Sequence, residues 1–155
     1  MKVLFIASTG GHLTELLQLA PMFQEYDYHV ITEKTKSTLS LKERFPGRVS
    51  YLIFGTKDHM WTYPFKFIVN CFKSMVLYCR IRPKYIVTTG THTAVPICYF
   101  GKLFGSKIIF IETIANTKTK TLSGKMIYPI ANLFIVQWES LLKEYPKAVY
   151  GGWVF

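Results

Sequence analysis

Residues 2–12 read Lys-Val-Leu-Phe-Ile-Ala-Ser-Thr-Gly-Gly-His, an apolar run that passes without a spacer into paired glycines and a histidine. A continuous apolar run this short fits a strand buried on both faces, and the glycines after it permit a tight turn into a helix. Such a turn aims backbone N–H groups and the positive end of the helix dipole at whatever lies above it. It suits a phosphate or a sugar. The pattern is not G-x-G-x-x-G and no P-loop lysine follows, so the dinucleotide and Walker readings lose support.

Further short apolar runs lie at 28–32, 49–54, 85–88, 107–111 and 133–136. Helical patterns separate them at 12–25, 37–45, 63–80 and 93–104, with shorter ones near 125–129 and 139–144. Strands of this kind alternating with helices predict an α/β fold, a Rossmann-like doubly wound parallel sheet. A chain of 155 residues holds one such domain, 1–155, with a full core. Ligands in these sheets sit beyond the carboxyl ends of the strands. That rule selects the loops 8–12, 88–93 and 112–123, all rich in Gly, Thr, Ser or His.

The net charge of +10 is concentrated in the middle of the chain. Residues 1–58 carry seven cations and six acids, and 139–155 balance, whereas 59–138 hold ten cations against one acid, Glu112. A field of this kind attracts phospholipid headgroups or a pyrophosphate-linked substrate. Nucleic acid is not expected, because the cations are interleaved with apolar runs and no recognition motif is present. The three cysteines, Cys71, Cys79 and Cys98, form no C-x-x-C pair and read as buried thiols of a reducing compartment. No metal site and no cofactor are expected, and no signal peptide is legible.

Three constellations bear on chemistry. Ser8, Thr9, Gly10, Gly11 and His12 form the first loop, with His12 placed to act as a base or a hydrogen-bond donor. Thr89, Gly90, Thr91 and His92 follow the fourth strand and suit a phosphate or sugar, though the same residues read equally as a hydroxyl-capped helix start. Glu112 stands at a strand end, where it can meet a substrate hydroxyl or neutralise nearby cations.

The segment 61–82 is apolar or aromatic from 65 to 79 except at Lys66, Asn70, Lys73 and Ser74, which fall on one stripe of a helix. It is too short and too polar to cross a bilayer of ~30 Å. Two readings remain: a core helix, or a helix lying in the membrane interface with Trp61, Phe65, Lys66, Lys73, Arg80 and Arg82 in contact with lipid.

The run Gly10-Gly11-His12-Leu13-Thr14-Glu15-Leu16-Leu17-Gln18-Leu19, the triplet Ile111-Glu112-Thr113 and the block Tyr128 to Trp138 form a recognisable set. With Tyr145-Pro146 and Gly151-Gly152 downstream, they resemble the Alg-type acceptor subunit of split glycosyltransferases, whose bacterial relatives are the PssD/CpsF/EpsE-like proteins of capsule and exopolysaccharide synthesis. The likeness spans essentially the whole chain, and Gly-Gly-His alone is shared with MurG-like GT-B enzymes.

The resemblance implies the N-terminal, acceptor-side half of a GT-B inverting transferase, peripheral on the cytoplasmic face of the plasma membrane. A donor-binding partner subunit would supply the UDP-sugar site, and the acceptor would be an undecaprenyl-pyrophosphate-linked saccharide. Gln137, Trp138, Trp153, Val154 and Phe155 would meet that partner. His12 is the first candidate base and Glu112 the second. The eukaryotic members carry an N-terminal anchor; here the first residues are already strand, which shifts the expected membrane contact to helix 63–80. The family's usual Arg and Asp are replaced by Asn116 and Asn132. Two other readings stand beside this one: a catalytically silent membrane recruiter of a partner transferase, and a stand-alone phosphate- or nucleotide-binding enzyme.

Overall fold

The computed structural model describes residues 1–55 and 63–154. Seven parallel strands form one sheet: β1 (Lys2–Ala7), β2 (Asp27–Glu33), β3 (Val49–Leu52), β4 (Tyr85–Gly90), β5 (Lys107–Ile111), β6 (Leu133–Val136) and β7 (Val149–Tyr150). The helices are α1 (Gly11–Gln18), α2 (Ala20–Phe23), α3 (Leu41–Arg44), α4 (Tyr63–Ile81), α5 (Val95–Leu103) and α6 (Leu122–Ile127). The strand order is β3-β2-β1-β4-β5-β6-β7, which reverses direction between β1 and β4. That reversal opens a crevice above those two strands, where doubly wound folds bind their ligands.

The continuous apolar runs are explained by burial on both faces. Val3, Phe5 and Ala7 pack with Leu13, Leu16 and Phe23, whereas Leu4 and Ile6 point the other way into a core with Ile97, Ile108 and Tyr145. The expected helix 12–25 is two helices, because Pro21 stands in the first turn of α2 and cannot continue α1. The pattern at 37–45 divides into a 3-10 turn (Lys36–Thr38) and the short α3, and that at 139–144 is a 3-10 turn. β7 has no sequence signal of its own: two exposed residues, paired only through β6.

The apolar side of α4 faces outward. Asn70 and Ser74 are buried instead, and the Asn70 amide pairs with the backbone of Ile53, donating to its carbonyl and accepting from its N–H, both at 2.8 Å. Phe65, Ile68, Phe72 and Val76 are exposed, Phe65 and Phe72 by 76 % and 74 %. α4 packs beside α5, with Tyr78 stacked on Phe104, and the exposed apolar surface continues through Leu103 and Tyr99.

The cysteines are not uniformly buried. Cys98 lies in the core and burial pushes its thiol up to about 12, Cys71 is half-buried, and Cys79 is exposed on α4. Alkylation requires the thiolate. Iodoacetamide at mildly alkaline pH is therefore expected to modify Cys79 in the folded protein and to spare Cys98 until the chain is unfolded. Peptide mapping reads this; labelling of folded Cys98 would contradict the packing of α5.

Candidate functional site

The loops after β1 and β4 meet above the strand-order reversal. Ser8 N–H donates to the Gly90 carbonyl at 3.2 Å. His12, in the first turn of α1, donates from Nδ1 to the Thr89 carbonyl at 2.7 Å, and the Thr89 hydroxyl donates back to the His12 carbonyl at 2.7 Å. A carbonyl can only accept, so this bond fixes the proton on Nδ1 and leaves the Nε2 lone pair available in the neutral ring. His12 lines a cavity of about 250 Å³ with Thr91, His92, Thr121, Leu122, Ser123 and Met126.

Gly90 makes this arrangement possible. Its φ of +103° is disfavoured for side-chain-bearing residues, and a Cβ there would lie 3.3 Å from both His12 Nδ1 and Ser123 Oγ. Gly90→Ala is expected to cost ~1–3 kcal/mol and to push the imidazole off the Thr89 carbonyl. Thermal unfolding and the ring's NMR shifts would report this, and an unshifted ring would contradict the close approach.

Three buried glutamates hold the loops in place. Glu33, at the end of β2, accepts from Thr9 N–H at 3.2 Å and from the Thr93 hydroxyl at 2.8 Å, tying the β1 and β4 loops together. Glu15, one turn after His12, accepts from the Thr113 hydroxyl and the Ile114 N–H. Glu112 accepts from Thr113 N–H, the Thr121 hydroxyl and, at 2.8 Å, the Tyr145 hydroxyl. Burial first, then the Glu112 charge, pushes the Tyr145 phenol up, so it remains a donor. Gly124 leaves room for this cluster: a Cβ there would come within 2.4 Å of Glu112 and closer still to Tyr145, at 2.3 Å.

Several expectations are revised by this geometry. Glu112 is 1 % exposed with both oxygens engaged, so it positions the loop before α6 rather than facing the cavity. Thr89 is fully buried and builds the site rather than lining it. Ser8 is buried, while Thr9, Gly10 and Gly11 form the rim at the start of α1. Gln137 is fully buried too: it donates to the Glu112 carbonyl and accepts from Val154 N–H, which excludes it from a partner surface. Trp138 donates to the Ile114 carbonyl and packs on Trp153, which is 60 % exposed. Val154 is half-buried against the core, and Trp61 and Phe155 lie outside the described residues.

Of the family departures, Asn132 accepts from Ile108 N–H and donates its own N–H to the Ile108 carbonyl, docking β6 on β5. Asn116 only closes its own exposed loop onto Thr119. Sequence reasoning missed Glu15, Glu33 and Tyr145. The strand-end rule that selected the other loops also applies to β2, and would have found Glu33.

Among the described residues no group of His, Cys, Asp or Glu is arranged to hold a metal. The arrangement can accept a proton at Nε2 and hydrogen-bond polar groups of a ligand in a cavity whose far wall, Leu122 and Met126, is apolar.

A doubly wound parallel sheet with a polar crevice at its strand-order reversal defines a Rossmann-like α/β lobe. The sheet superposes on MurG from Acinetobacter baumannii with a TM-score of 0.71 at 18 % identity, over 90 % of this chain and 42 % of that one. UDP-N-acetylglucosamine 2-epimerase from Rickettsia bellii gives 0.72 at 15 % identity, over 99 % of this chain and 45 % of that one. The chain thus spans less than half the length of these structures, and the likeness is one of fold.

Residues 56–154 match the family described as "Oligosaccharide biosynthesis protein Alg14 like". The mouse UDP-N-acetylglucosamine transferase subunit ALG14 is 30 % identical over 98 % of this chain and 82 % of its own length. The Kluyveromyces lactis subunit of the same name is 31 % identical over 97 % and 77 %. The chain belongs to the Alg14 family.

Proposed function

We propose that this protein is the acceptor-binding, membrane-attached subunit of a two-component inverting glycosyltransferase. A donor-binding partner supplies the UDP-sugar, with N-acetylglucosamine the first candidate because the relatives are named for it. The acceptor is a saccharide on a polyprenyl pyrophosphate. The relatives named above are eukaryotic, so the carrier is given by class; undecaprenyl pyrophosphate in capsule or exopolysaccharide synthesis is the bacterial form of the same reading.

The observation that carries this is His12, clamped at Nδ1 by the Thr89 carbonyl and lining a cavity between the loops of β1, β4 and α6, which leaves Nε2 as the nitrogen able to accept a proton. The acceptor hydroxyl oxygen attacks the anomeric carbon, the bond to UDP breaks with its electron pair on the departing diphosphate, and Nε2 takes the hydroxyl proton. Thr91 and His92, which line the cavity, and Thr9 in the β1 loop are proposed to hold the acceptor's polar groups. The partner is proposed to dock beside Trp153, with Trp138 behind it.

The outward apolar face of α4 supports attachment to lipid. Among the described residues no helix is long and apolar enough to cross a membrane. Lys66, Lys73 and Arg80 recur every seven residues along one flank of that face, with Arg82 just beyond the helix. Apolar residues inward to acyl chains and cations at headgroup level are the two requirements of an interfacial helix. The same surface runs over α5 to α6, where Tyr99 donates to the Met126 carbonyl, and ends at Leu122 and Met126 on the cavity wall. A lipid-borne acceptor would thus reach His12 without leaving the interface.

The test is reconstitution. Lipid-linked acceptor and a panel of UDP-sugars are incubated with this protein, with its candidate partner, and with both; product is expected only from the pair. Robust transfer by this chain alone would overturn the reading. Phe72→Ser is expected to release the protein from vesicles while leaving its fold intact, as read by flotation and circular dichroism. In the unsubstituted protein, vesicles are expected to shield Cys79 from iodoacetamide.

A further inference from the structure

A second cavity lies at the opposite end of the sheet from His12. It has a volume of about 630 Å³ and is walled by the amino ends of β1, β2 and β3, the turn at 46–48 and the last turns of α4. Lys2, Lys42, Arg48 and Arg80 line it, and His29 stands in its wall; Asp27 is the single carboxylate there. Arg48 already pairs with Asp27 and also donates to the Tyr28 carbonyl at 3.2 Å, so that guanidinium is fixed in place. Neither Lys2, Lys42 nor Arg80 has a carboxylate partner among the described residues. The Lys42 ammonium lies 5.4 Å over the Tyr51 ring, which holds it near the rim without neutralising it. His29 bonds Ser50 through Nε2 at 2.9 Å. Burial first, and then the charges of Arg48 and Arg80, keep its imidazole below the usual histidine range, in accord with two guanidinium groups converging on that wall.

We infer that this concave cluster is a binding site for a phosphate-bearing anion, with Arg48 as its fixed anchor and Lys2, Lys42 and Arg80 closing around the ligand. Lys2, Lys42 and Arg80 line the concavity with a pre-oriented guanidinium and the single carboxylate Asp27, on which Lys2 also acts, so the lining carries an excess of positive charge that an entering anion would offset. Arg80 belongs to the flank of α4 whose neighbouring face is outward and apolar. An anionic phospholipid headgroup is therefore the first source of the phosphate, and free phosphate is the second. The lipid source rests on the membrane reading proposed above; the site does not.

Two arms separate the sources. The side chains of Lys42 and Arg80 are exposed, so Lys42→Gln with Arg80→Gln is expected to fold normally. Lys118→Gln with Lys147→Gln removes the same charge elsewhere on the surface. In the first arm, binding to phosphatidylcholine vesicles with and without phosphatidylglycerol is measured by flotation. The cavity pair is expected to lower the phosphatidylglycerol-dependent affinity by about thirty-fold, the effect of two surface cations, and the control pair by much less. In the second arm, inorganic phosphate and glycerol 1-phosphate are titrated calorimetrically in the absence of lipid. Binding to unsubstituted protein that disappears in the cavity pair supports the site even if no vesicle binds, and then identifies the source as a soluble phosphate. Equal losses from both pairs on vesicles, together with no phosphate binding that depends on the cavity, would overturn the inference. Failure of Phe72→Ser to affect vesicle binding would count against the membrane reading alone.

Discussion

Replacing His12 by alanine is expected to lower transfer by the assembled complex about 100-fold or more, with vesicle binding and partner association unchanged. The size follows from the geometry. His12 lines the crevice with its Nδ1 committed to a backbone carbonyl, so the ring is held in one orientation rather than merely present. The substitution also deletes that hydrogen bond, at a cost of ~1 kcal/mol, so stability and catalysis must be read apart. His12→Asn separates them. Its amide can donate to the Thr89 carbonyl in place of Nδ1 and cannot accept a proton at neutral pH. It is expected to restore stability while leaving transfer as low as in the alanine variant. Unchanged transfer in both variants would instead describe a subunit that recruits its partner to acceptor and performs no proton transfer.

Glu112 should show the reverse pattern. Glu112→Ala strips the acceptor from the Thr113 N–H, the Thr121 hydroxyl and the Tyr145 hydroxyl, two of which belong to buried residues, Thr113 and Tyr145. Buried donors left unmet cost ~1–3 kcal/mol each, so a loss of roughly 2–6 kcal/mol is expected for the two. That is a large fraction of the 5–15 kcal/mol that typically separates folded from unfolded chains. Chemical denaturation would measure it, and the variant's activity would say little. Glu112→Gln keeps the volume and one acceptor oxygen, and is expected to retain transfer within about tenfold while lowering the midpoint of unfolding. A glutamine variant that folds fully yet loses two orders of magnitude in rate would return Glu112 to the chemistry.

The sequence alone determined the sheet. Both-face burial requires apolar residues at consecutive positions, and the runs at β1, β2, β4, β5 and β6 are legible for that reason. It also pointed to the crevice loops, because ligands of doubly wound sheets sit beyond the carboxyl ends of the strands, where the paired glycines and clustered hydroxyls fall. Only the tertiary structure decided which polar groups serve the crevice and which build it. Glu112 and Thr89 look like site residues in one dimension, but their side chains point into the scaffold, where Tyr145 and His12 from distant segments meet them. Helical spacing could mark the polar stripe of α4 but not its direction. Asn70 turns inward because β3 offers an unpaired backbone N–H and carbonyl at Ile53, and that leaves the aromatic face outside. The basic cavity is decided the same way: Lys2, Lys42, Arg48 and Arg80 are scattered over the sequence, and only the parallel register of β1, β2 and β3 together with the placement of α3 and α4 gathers them at one end of the sheet.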